Sequence, residues 1–459
     1  MDAKIEPNLR FRQRFASFLA TKVLMNRILL MRSARTLKRS ASFLTASLAV
    51  CLLVAGINAQ TVSDQPKTDV LLNGLKVYIW NRVASPRVQV KLRINAGAAF
   101  DPQKREGVMR LLAENIFPNE AARDFFKEDL GGGLAISTNY DYIEITASST
   151  PDNMLQMLET IGSSVAAMQI DKETTAKLKA DLLAEIKASE GDEAKAADRI
   201  VREKLFGAFP YGRPVNGTEE SVKQIDFADL IDARARFLKA DNASIAIAGN
   251  IDRSLTSRAI RRYFGAWQRS DKRVPSTFKQ PEPPSPEVTI VDWKGGTTAE
   301  GRTAYRGVAV ADKLAPAAAI YAQILETKLR DRIPEAVAKG VFVRSEAHIL
   351  PGEFVVGLSA DPNDIGKENG KINSPELTAN AIAEPITESE FAKALAATLD
   401  NWKKRDVLSS WLDMDTYKTA DPKARLDALS SVTLGDVRSF AKTLQGAPAA
   451  VVVVMPPAK

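Results

Sequence analysis

The stretch GVMRLLAENIF, residues 107–117, decides how this chain folds and what it can do. Its apolar side chains recur at helical spacing and define one face of a short helix: Val108, Leu111, Leu112 and Ile116. Arg110, Ala113 and Glu114 fall on the other face, and Pro118 ends the element. Arg110 and Glu114 are one helical turn apart, a spacing at which two histidines would hold a metal ion. The rest of the sequence has to explain why Arg110 and Glu114 occupy these two positions.

The charge of the chain is concentrated at its N-terminus. The 459 residues are 45% apolar, which suffices for large cores and more than one domain, and the net charge is +7. Residues 1–59 contain ten Lys/Arg and two Asp/Glu, which leaves 53 basic and 54 acidic residues in residues 60–459. The body of the protein is therefore nearly neutral, and no nucleic-acid-binding face is predicted.

The leader, residues 1–59, ends in a segment with the anatomy of a secretory signal peptide, at about 31–59. A basic stretch precedes an apolar run from Phe43 to Ile57, and the small residues that follow predict cleavage after Ala59. An uncleaved membrane anchor is the alternative, although the run is short for a bilayer span. We expect a periplasmic or secreted protein, in contact with a membrane only if the leader is retained.

Cysteine and histidine are almost absent, which limits the available chemistry. Cys51, inside the leader, is the only cysteine, so the exported chain has no thiolate zinc site, redox pair or disulfide. His348 is the only histidine, so a two-histidine metal site cannot form and any Ser-His-Asp triad would have to use it. His348 follows strand-like residues, and we predict a strand-end histidine without a catalytic role.

Two halves of similar design flank a proline-rich joint. Each half finishes with a helix, a short loop and an apolar strand: FADLIDARARFL to IAIAGNID in the first, LGDVRSFAKTL to AVVVVMP in the second. This recurrence predicts an internal duplication. Residues 272–287 are rich in proline and predict a linker between an N-terminal lobe, 66–271, and a C-terminal lobe, 288–459.

Three further segments are predicted to be structural. Residues 172–207 have helical periodicity, with a solvated break near 190–193 that lacks the spacing of a calcium loop. The glycine-rich segment 130–135 lacks the spacing of a phosphate-binding loop and predicts a turn. The polar segment 361–377 predicts a surface loop.

Several motifs follow one another in a recognisable order. NGLKVYIW (73–80) leads through an alternating strand to GVMRLLAENIF, and three more follow: LLAEI (182–186), PYGRPVNGTEE (210–220) and DNASIAIAGNID (241–252). This order resembles the pitrilysin/insulinase-type zinc peptidases, which include the mitochondrial processing peptidase and its non-catalytic partner subunits. The resemblance covers roughly residues 66–459 and is specific in the first half. It implies an α+β fold of two duplicated lobes, each an antiparallel sheet packed with helices, that close like a clam.

In that family the first helix carries H-x-x-E-H, which supplies two zinc ligands and a general base, and a later glutamate is the third ligand. The resemblance places Arg110 and Glu114 at the two histidines, Ala113 at the base and Glu185, in LLAEI, at the later glutamate. Only Glu185 keeps the family's residue type. We therefore expect no catalytic residue, metal or cofactor in this chain, whereas zinc is expected in its relatives.

The second lobe departs from the family pattern as well. The arginine and tyrosine that help active members to hold substrate fall at Pro334 and Phe342, and Arg332 lies close enough for a small shift to restore the arginine. An asparagine on the family's substrate-side strand is replaced near Ala135. These departures argue against a stand-alone peptidase.

Arg110 suggests what takes the place of the metal charge. Carboxylates without a partner are costly when buried, and a guanidinium can pair with two of them. We hypothesise that Arg110 bridges Glu114 and Glu185. The alternative is a solvated Arg110–Glu114 pair worth a few tenths of a kcal/mol.

The resemblance implies the non-catalytic, peptide-holding subunit of a periplasmic zinc peptidase heterodimer. Its partners would be a sibling subunit with an intact H-x-x-E-H motif and unfolded peptides. Two alternatives remain open. One is an active metallopeptidase with carboxylate ligands such as Glu114 and Glu185, although oxygen ligands suit calcium or magnesium better than zinc. The other is a stand-alone periplasmic peptide-binding protein.

Overall fold

Two β-sheets, one from each half of the chain, form the framework of the protein. The computed structural model describes residues 65–270, 278–366 and 371–457. Among these residues the first sheet has six strands in the order β1-β2-β6-β3-β5-β4. The strands are β1 Lys67–Val70, β2 Lys76–Asn81, β3 Val88–Ile94, β4 Gly133–Thr138, β5 Ile143–Ser149 and β6 Ala243–Gly249. β2 and β6 run parallel, and the other neighbouring strands are antiparallel.

The alternation along β3 determines the two faces of this sheet. Val90, Leu92 and Ile94 are fully buried in the same hydrophobic core as the apolar face of residues 108–116. Successive side chains of a strand point to opposite faces, so Lys91 and Arg93 lie on the other side. The sheet therefore has one apolar face beneath helices and one face that carries charge.

The second sheet repeats the strand order of the first with one strand fewer. In the described part of the chain its strands are β7 Val288–Asp292, β8 Ala299–Arg306, β9 Val341–Glu346, β10 Glu353–Ala360 and β11 Ala450–Met455. Their order is β7-β11-β8-β10-β9, with β11 parallel to β7 and the other pairs antiparallel. The predicted α+β fold of two duplicated lobes is confirmed. Each sheet of the described residues contains one parallel pair, because the strand that closes each half, β6 or β11, returns beside a strand from the start of that half, β2 or β7.

Eight α-helices lie in the described residues of the first half. They are α1 Val108–Glu114, α2 Glu120–Glu128, α3 Met154–Ala166, α4 Lys172–Ser189, α5 Glu193–Phe206, α6 Glu219–Gln224, α7 Phe227–Phe237 and α8 Arg253–Phe264. The predicted helical run 172–207 breaks between α4 and α5. Asp192 starts the second helix, since its carboxylate accepts a 3.0 Å hydrogen bond from the Lys195 amide.

Seven α-helices lie in the described residues of the second half. They are α9 Ala315–Arg330, α10 Glu335–Ala338, α11 Ser374–Ala383, α12 Glu388–Lys403, α13 Val407–Tyr417, α14 Pro422–Ser430 and α15 Leu434–Gln445. The loop predicted over 361–377 is wrong at its end, because α11 already begins at Ser374. Pro375 favours that start, since proline lacks only an amide that the first helical turn leaves unpaired.

Each sheet is covered on its charged face by a helix from the other half. α5 packs on β8 and β11, and α13 packs on β3 and β6. Val201 and Leu205 of α5 share a core with Val452, while Trp411 of α13 packs against Tyr78 and Trp80. This reciprocal exchange of helices joins the two halves.

The leader, including the predicted signal peptide at about 31–59, lies outside the described residues, as does the part 272–277 of the proline-rich joint. Within the residues that the structure describes, no helix is long and apolar enough to cross a membrane.

Candidate functional site

Helix α1 is held in place at its N-terminus by Asp101. The carboxylate of Asp101 accepts hydrogen bonds from the amides of Gly107, at 2.8 Å, and Met109, at 2.7 Å. Burial raises the pKa of Asp101 to about 7, although both amides favour the charged form. Gly107 has φ +105°, a left-handed conformation, and a Cβ there would lie 3.0 Å from the carbonyl oxygen of Asn216. The entry into α1 is therefore tightly defined.

Arg110 lies between two carboxylates on the outer side of α1. Its Nη1 donates to Glu114 one turn further on, and its Nη2 donates to Glu185 of α4 across a 3.3 Å gap. The side chains of Arg110 and Glu114 are each 19% exposed, and that of Glu185 is 52% exposed. The bridge that was hypothesised from the sequence is present, so Arg110 and Glu114 are more than an isolated pair on one helix.

Two further residues of this site were missed by sequence reasoning. Arg123 of α2 places Nη2 3.3 Å from Oε2 of Glu114, and Asn216 donates to Oε1 of Glu185 at 3.0 Å. Asn216 lies within the motif PYGRPVNGTEE, which was recognised in the sequence without a role being assigned to Asn216. Nothing in the sequence distinguishes Arg123 from its neighbours, since its helix carries several exposed charges of both signs. Arg123, Glu114, Arg110 and Glu185 thus form a row of alternating charges. Asn216 ends this row with a neutral hydrogen bond to Glu185.

The residues at this site do not fit a zinc ion. A guanidinium cannot ligate a cation, and the two glutamates already face Arg110. Ala113 has no group that could accept a proton from water. No group of three or more His, Cys, Asp or Glu side chains is placed to hold a metal ion within the residues that the structure describes.

Ala113 does not lie where the helical pattern predicted it. It is fully buried in the hydrophobic core, so its assignment to the outer face with Arg110 and Glu114 is wrong. Each residue turns the helix by about 100°, which places Ala113 beside the buried Met109. Only Arg110 and Glu114 therefore form the partly exposed face of α1.

The predicted positions in the second lobe are engaged in local structure. Pro334 precedes α10 as its N-cap residue, and Arg332 pairs with Glu384. The ring of Phe342, on β9, lies 4.6 Å from the guanidinium carbon of Arg344. None of these contacts involves the residues on α1.

Ala135 is exposed on β4, the last strand of the first sheet. Among the residues that the structure describes, it is paired on one side only, with Thr146 of β5. The sheet therefore offers a free edge at this strand.

His348 connects the two halves of the molecule. It lies just beyond the end of β9, as predicted, and its Nδ1 is 2.8 Å from Oδ2 of Asp141 in the first half. Asp141 is only 1% exposed and also accepts a 3.1 Å hydrogen bond from the hydroxyl of Tyr211. The ring of His348 packs 4.6 Å from that of Tyr211. The surroundings of the only histidine are those of a structural contact between lobes.

Two family models match the chain. The model described as Insulinase (Peptidase family M16) matches residues 76–219, and the model described as Peptidase M16 inactive domain matches residues 224–398. Together they take in well over half of the chain and include both Arg110 and Phe342.

The sequence is similar to curated relatives from eukaryotes and bacteria. It is 23% identical over 248 residues to a probable mitochondrial-processing peptidase subunit beta of Arabidopsis thaliana, covering 52% of this chain and 46% of the relative. It is 22% identical over 213 residues to an uncharacterized zinc protease of Rickettsia bellii, covering 44% of this chain and 50% of the relative. The matched region thus spans about half the length of each relative.

Solved structures share the fold. A peptidase M16 inactive domain from Pseudomonas fluorescens superposes with a TM-score of 0.75 at 17% identity, covering 86% of this chain and 98% of that one. The periplasmic protease PqqL from Escherichia coli superposes with a TM-score of 0.67 at 15% identity, covering 86% of this chain and 48% of that one. With both family models matched in order and two lobes of the same fold, the chain belongs to peptidase family M16, the insulinase family.

Proposed function

We propose that this chain is a catalytically inactive member of family M16 that serves as the peptide-holding subunit of a zinc peptidase heterodimer. The observation that carries the proposal is the position of Arg110 between Glu114 and Glu185. The positive charge of the Arg110 guanidinium takes the place that the charge of a metal ion would have between the two glutamates. Ala113 supplies no base to activate a water molecule.

Peptide holding would use the free sheet edge at β4. Among the described residues no strand pairs with the outer side of β4, whereas on β9, which ends the second sheet, the Val343 amide and the Val341 carbonyl already bond side chains of α9. An extended peptide can add to such an edge through main-chain hydrogen bonds, which need no catalytic residue. Exposed Ala135 and Ser137 along β4 leave the approach to this edge open to a peptide.

The proposed setting is the periplasm or the extracellular space. A signal peptide at about 31–59 would direct export, and the similar fold of a periplasmic protease fits such a location. The exported chain would work as two lobes, 66–271 and 288–459, joined by the stretch 272–287. The two sheets with matching strand order support this division.

The proposed partner is a sibling subunit with an intact H-x-x-E-H motif. The relative from Arabidopsis thaliana is named as a subunit, which supports work in an assembly. In such an assembly the catalytic zinc would belong to the partner, and this chain would contribute binding surface.

The test is recovery of the tagged chain from the periplasm of its own cells. The eluate is assayed for cleavage of an unfolded peptide with and without a chelator, and its other proteins are identified. We expect chelator-sensitive cleavage together with a second chain that carries H-x-x-E-H. The Arg110→Met variant should recover the same activity, since Arg110 takes no part in the chemistry.

Two other outcomes would overturn the proposal. Chelator-sensitive cleavage by this chain alone would make it an active metallopeptidase with non-histidine ligands. Binding of unfolded peptides without a partner and without cleavage would make it a stand-alone peptide-binding protein.

A further inference from the structure

A cavity of about 1120 Å³ opens at the junction of the two halves and shares no residue with the site on α1. Its walls come from the start of α9 and from α12, α13, α14 and α15, and Tyr142 closes it from the first half. One side is apolar and is formed by Leu314, Pro316, Leu429 and Val432. This volume is that of a ligand site rather than of a packing gap.

Three arginines surround Asp413 on the polar side of the cavity, and two of them, Arg405 and Arg425, line it. Asp413 of α13 accepts from Arg93 at 2.8 Å through Oδ1 and from Arg405 at 2.8 Å through Oδ2. Arg425 of α14 approaches the same Oδ2 only to 3.6 Å. Arg93 is neutralised by a second carboxylate, Glu144, at 2.7 Å. Arg405 and Arg425 therefore share a single carboxylate oxygen, and one positive charge is left over.

Arg405 and Arg425 both contact one aromatic ring. Their guanidinium carbons lie 4.7 Å and 4.9 Å from the ring centre of Trp402, which also lines the cavity. This stacking fixes two planar donor groups in one place before any ligand binds. Two pre-positioned guanidiniums are suited to a carboxylate, which can accept paired hydrogen bonds from each.

Arg425 shows that the charge balance is incomplete. Its Nη1 has no hydrogen-bond partner within the described residues, although the side chain is largely buried. Burial lowers the pKa of Arg425, and the neighbouring positive charge of Arg405 acts in the same direction, against the carboxylate of Asp413. One further anion would remove this penalty.

We propose that the cavity binds an amphipathic carboxylate, with its carboxylate group against Arg405 and Arg425 and its apolar part along Leu314, Pro316 and Leu429. One added negative charge completes the balance around Asp413. The apolar wall favours a ligand that has an apolar part. The C-terminal residue of a peptide and a fatty acid both have this chemistry, and the test separates them.

The test is isothermal titration calorimetry of the purified chain with two matched pairs of probes. One pair is acetyl-Ala-Ala-Phe as the free acid and as the C-terminal amide, and the other is octanoate and octanamide. We expect at least one acid to bind and its amide to bind at least tenfold more weakly, because the amide has no charge. Tighter binding of the peptide acid would identify a peptide C-terminus, and tighter binding of octanoate a lipid-derived acid.

Variants locate the binding to the two arginines. Arg405→Gln and Arg425→Gln should each weaken binding of the acid at least tenfold. Arg425→Lys, which keeps the charge but not the planar fork, should lie between Arg425→Gln and the wild type. The matched control is Arg236→Gln on α7, where Arg236 is 50% exposed and pairs with Asp232 of its own helix.

Three results would overturn the proposal: no binding of either acid, equal binding of acid and amide, or unchanged binding in both glutamine variants. The comparison of acid with amide needs no substitution, so it stands even if a variant fails to fold.

Discussion

Arg110 determines the charge balance around α1. It faces Glu114 and Glu185, and Arg123 supports Glu114 only from a side chain that is 44% exposed. We expect Arg110→Met to lower the free energy of unfolding by about 1 kcal/mol, because methionine keeps the apolar stem but leaves Glu114 without its close partner. Denaturant unfolding followed by circular dichroism measures the change.

A second ion pair provides the control for this prediction. Lys223 and Glu219 are also four residues apart on one helix, but their side chains are 60% and 53% exposed. Lys223→Met should lower the free energy of unfolding clearly less than Arg110→Met does, because solvent screens this pair. Equal losses in the two variants would mean that the bridge to Glu185 contributes nothing.

The same three positions predict a metal site that substitution can create. In Arg110→His/Glu114→His, two imidazoles would lie one turn apart with Glu185 within reach, a ligand set that suits zinc. We expect roughly one zinc ion per chain and a rise in Tm on addition of zinc. No peptidase activity should appear, because Ala113 still offers no base. Elemental analysis and thermal unfolding measure both effects.

The control for the zinc prediction removes the third ligand. Adding Glu185→Gln to the double variant should abolish the bound zinc and the rise in Tm. Zinc retained by this triple variant would contradict the assignment of Glu185 to the site.

Spacing along one helix made Arg110 and Glu114 predictable as neighbours, and the resemblance to a family added Glu185. The partners from separate elements were not predictable. Arg123 and Asn216 reach the site only because α2 and the loop before α6 pack beside α1. Asp141, the partner of His348, is 207 residues away in the chain. A contact of that kind depends on the packing of whole lobes.

At the scale of elements, helix α1 depends on the buried carboxyl of Asp101. The pKa of Asp101 is about 7 in the folded chain against an ordinary value of 3.8, so the folded state binds this proton more tightly. The resulting stability is complete below about pH 4 and is lost as the pH rises through 7. Between pH 5 and pH 7 we expect the wild type to lose up to roughly 1.4 kcal/mol per pH unit relative to Asp101→Asn, which cannot titrate.

Denaturant unfolding of both proteins at several pH values measures this difference. Asp101→Asn will be less stable at every pH if it loses one of its two backbone hydrogen bonds. Only the slope of the difference with pH reports the titration. A constant difference between pH 5 and pH 8 would contradict the raised pKa.

The exchanged helices show where prediction from periodicity ends. The pattern of α5 predicts a helix with one buried face, but not which sheet receives that face. Its charged residues Asp198 and Arg202 pair with Arg302 and Glu353 of the second half, at 2.6 Å and 2.8 Å. From the sequence alone, charged residues such as these are expected to be exposed to solvent. Their buried partners lie more than 100 residues away, so the ion pairs could be identified only from the structure.

At the scale of the whole molecule, duplication was predictable because helix, loop and strand recur locally at the end of each half. The way in which the halves join was not, because it rests on α5, α13 and the contact between His348 and Asp141. These connections bury charge on both sides of the junction. The two lobes are therefore expected to unfold together rather than one after the other.

His348 allows this coupling to be tested. We expect His348→Ala to lower the free energy of unfolding by about 1–3 kcal/mol, because Asp141 is 1% exposed and would lose the partner of its Oδ2. Tyr211→Phe, which removes the 3.1 Å hydrogen bond to the other oxygen of Asp141 but keeps the ring, should cost about 1 kcal/mol. Denaturant unfolding followed by tryptophan fluorescence and by circular dichroism should give one transition for both variants, because α5 and α13 still join the lobes. Two separate transitions in His348→Ala would mean that the histidine contact, and not the exchange of helices, makes the lobes unfold as one unit.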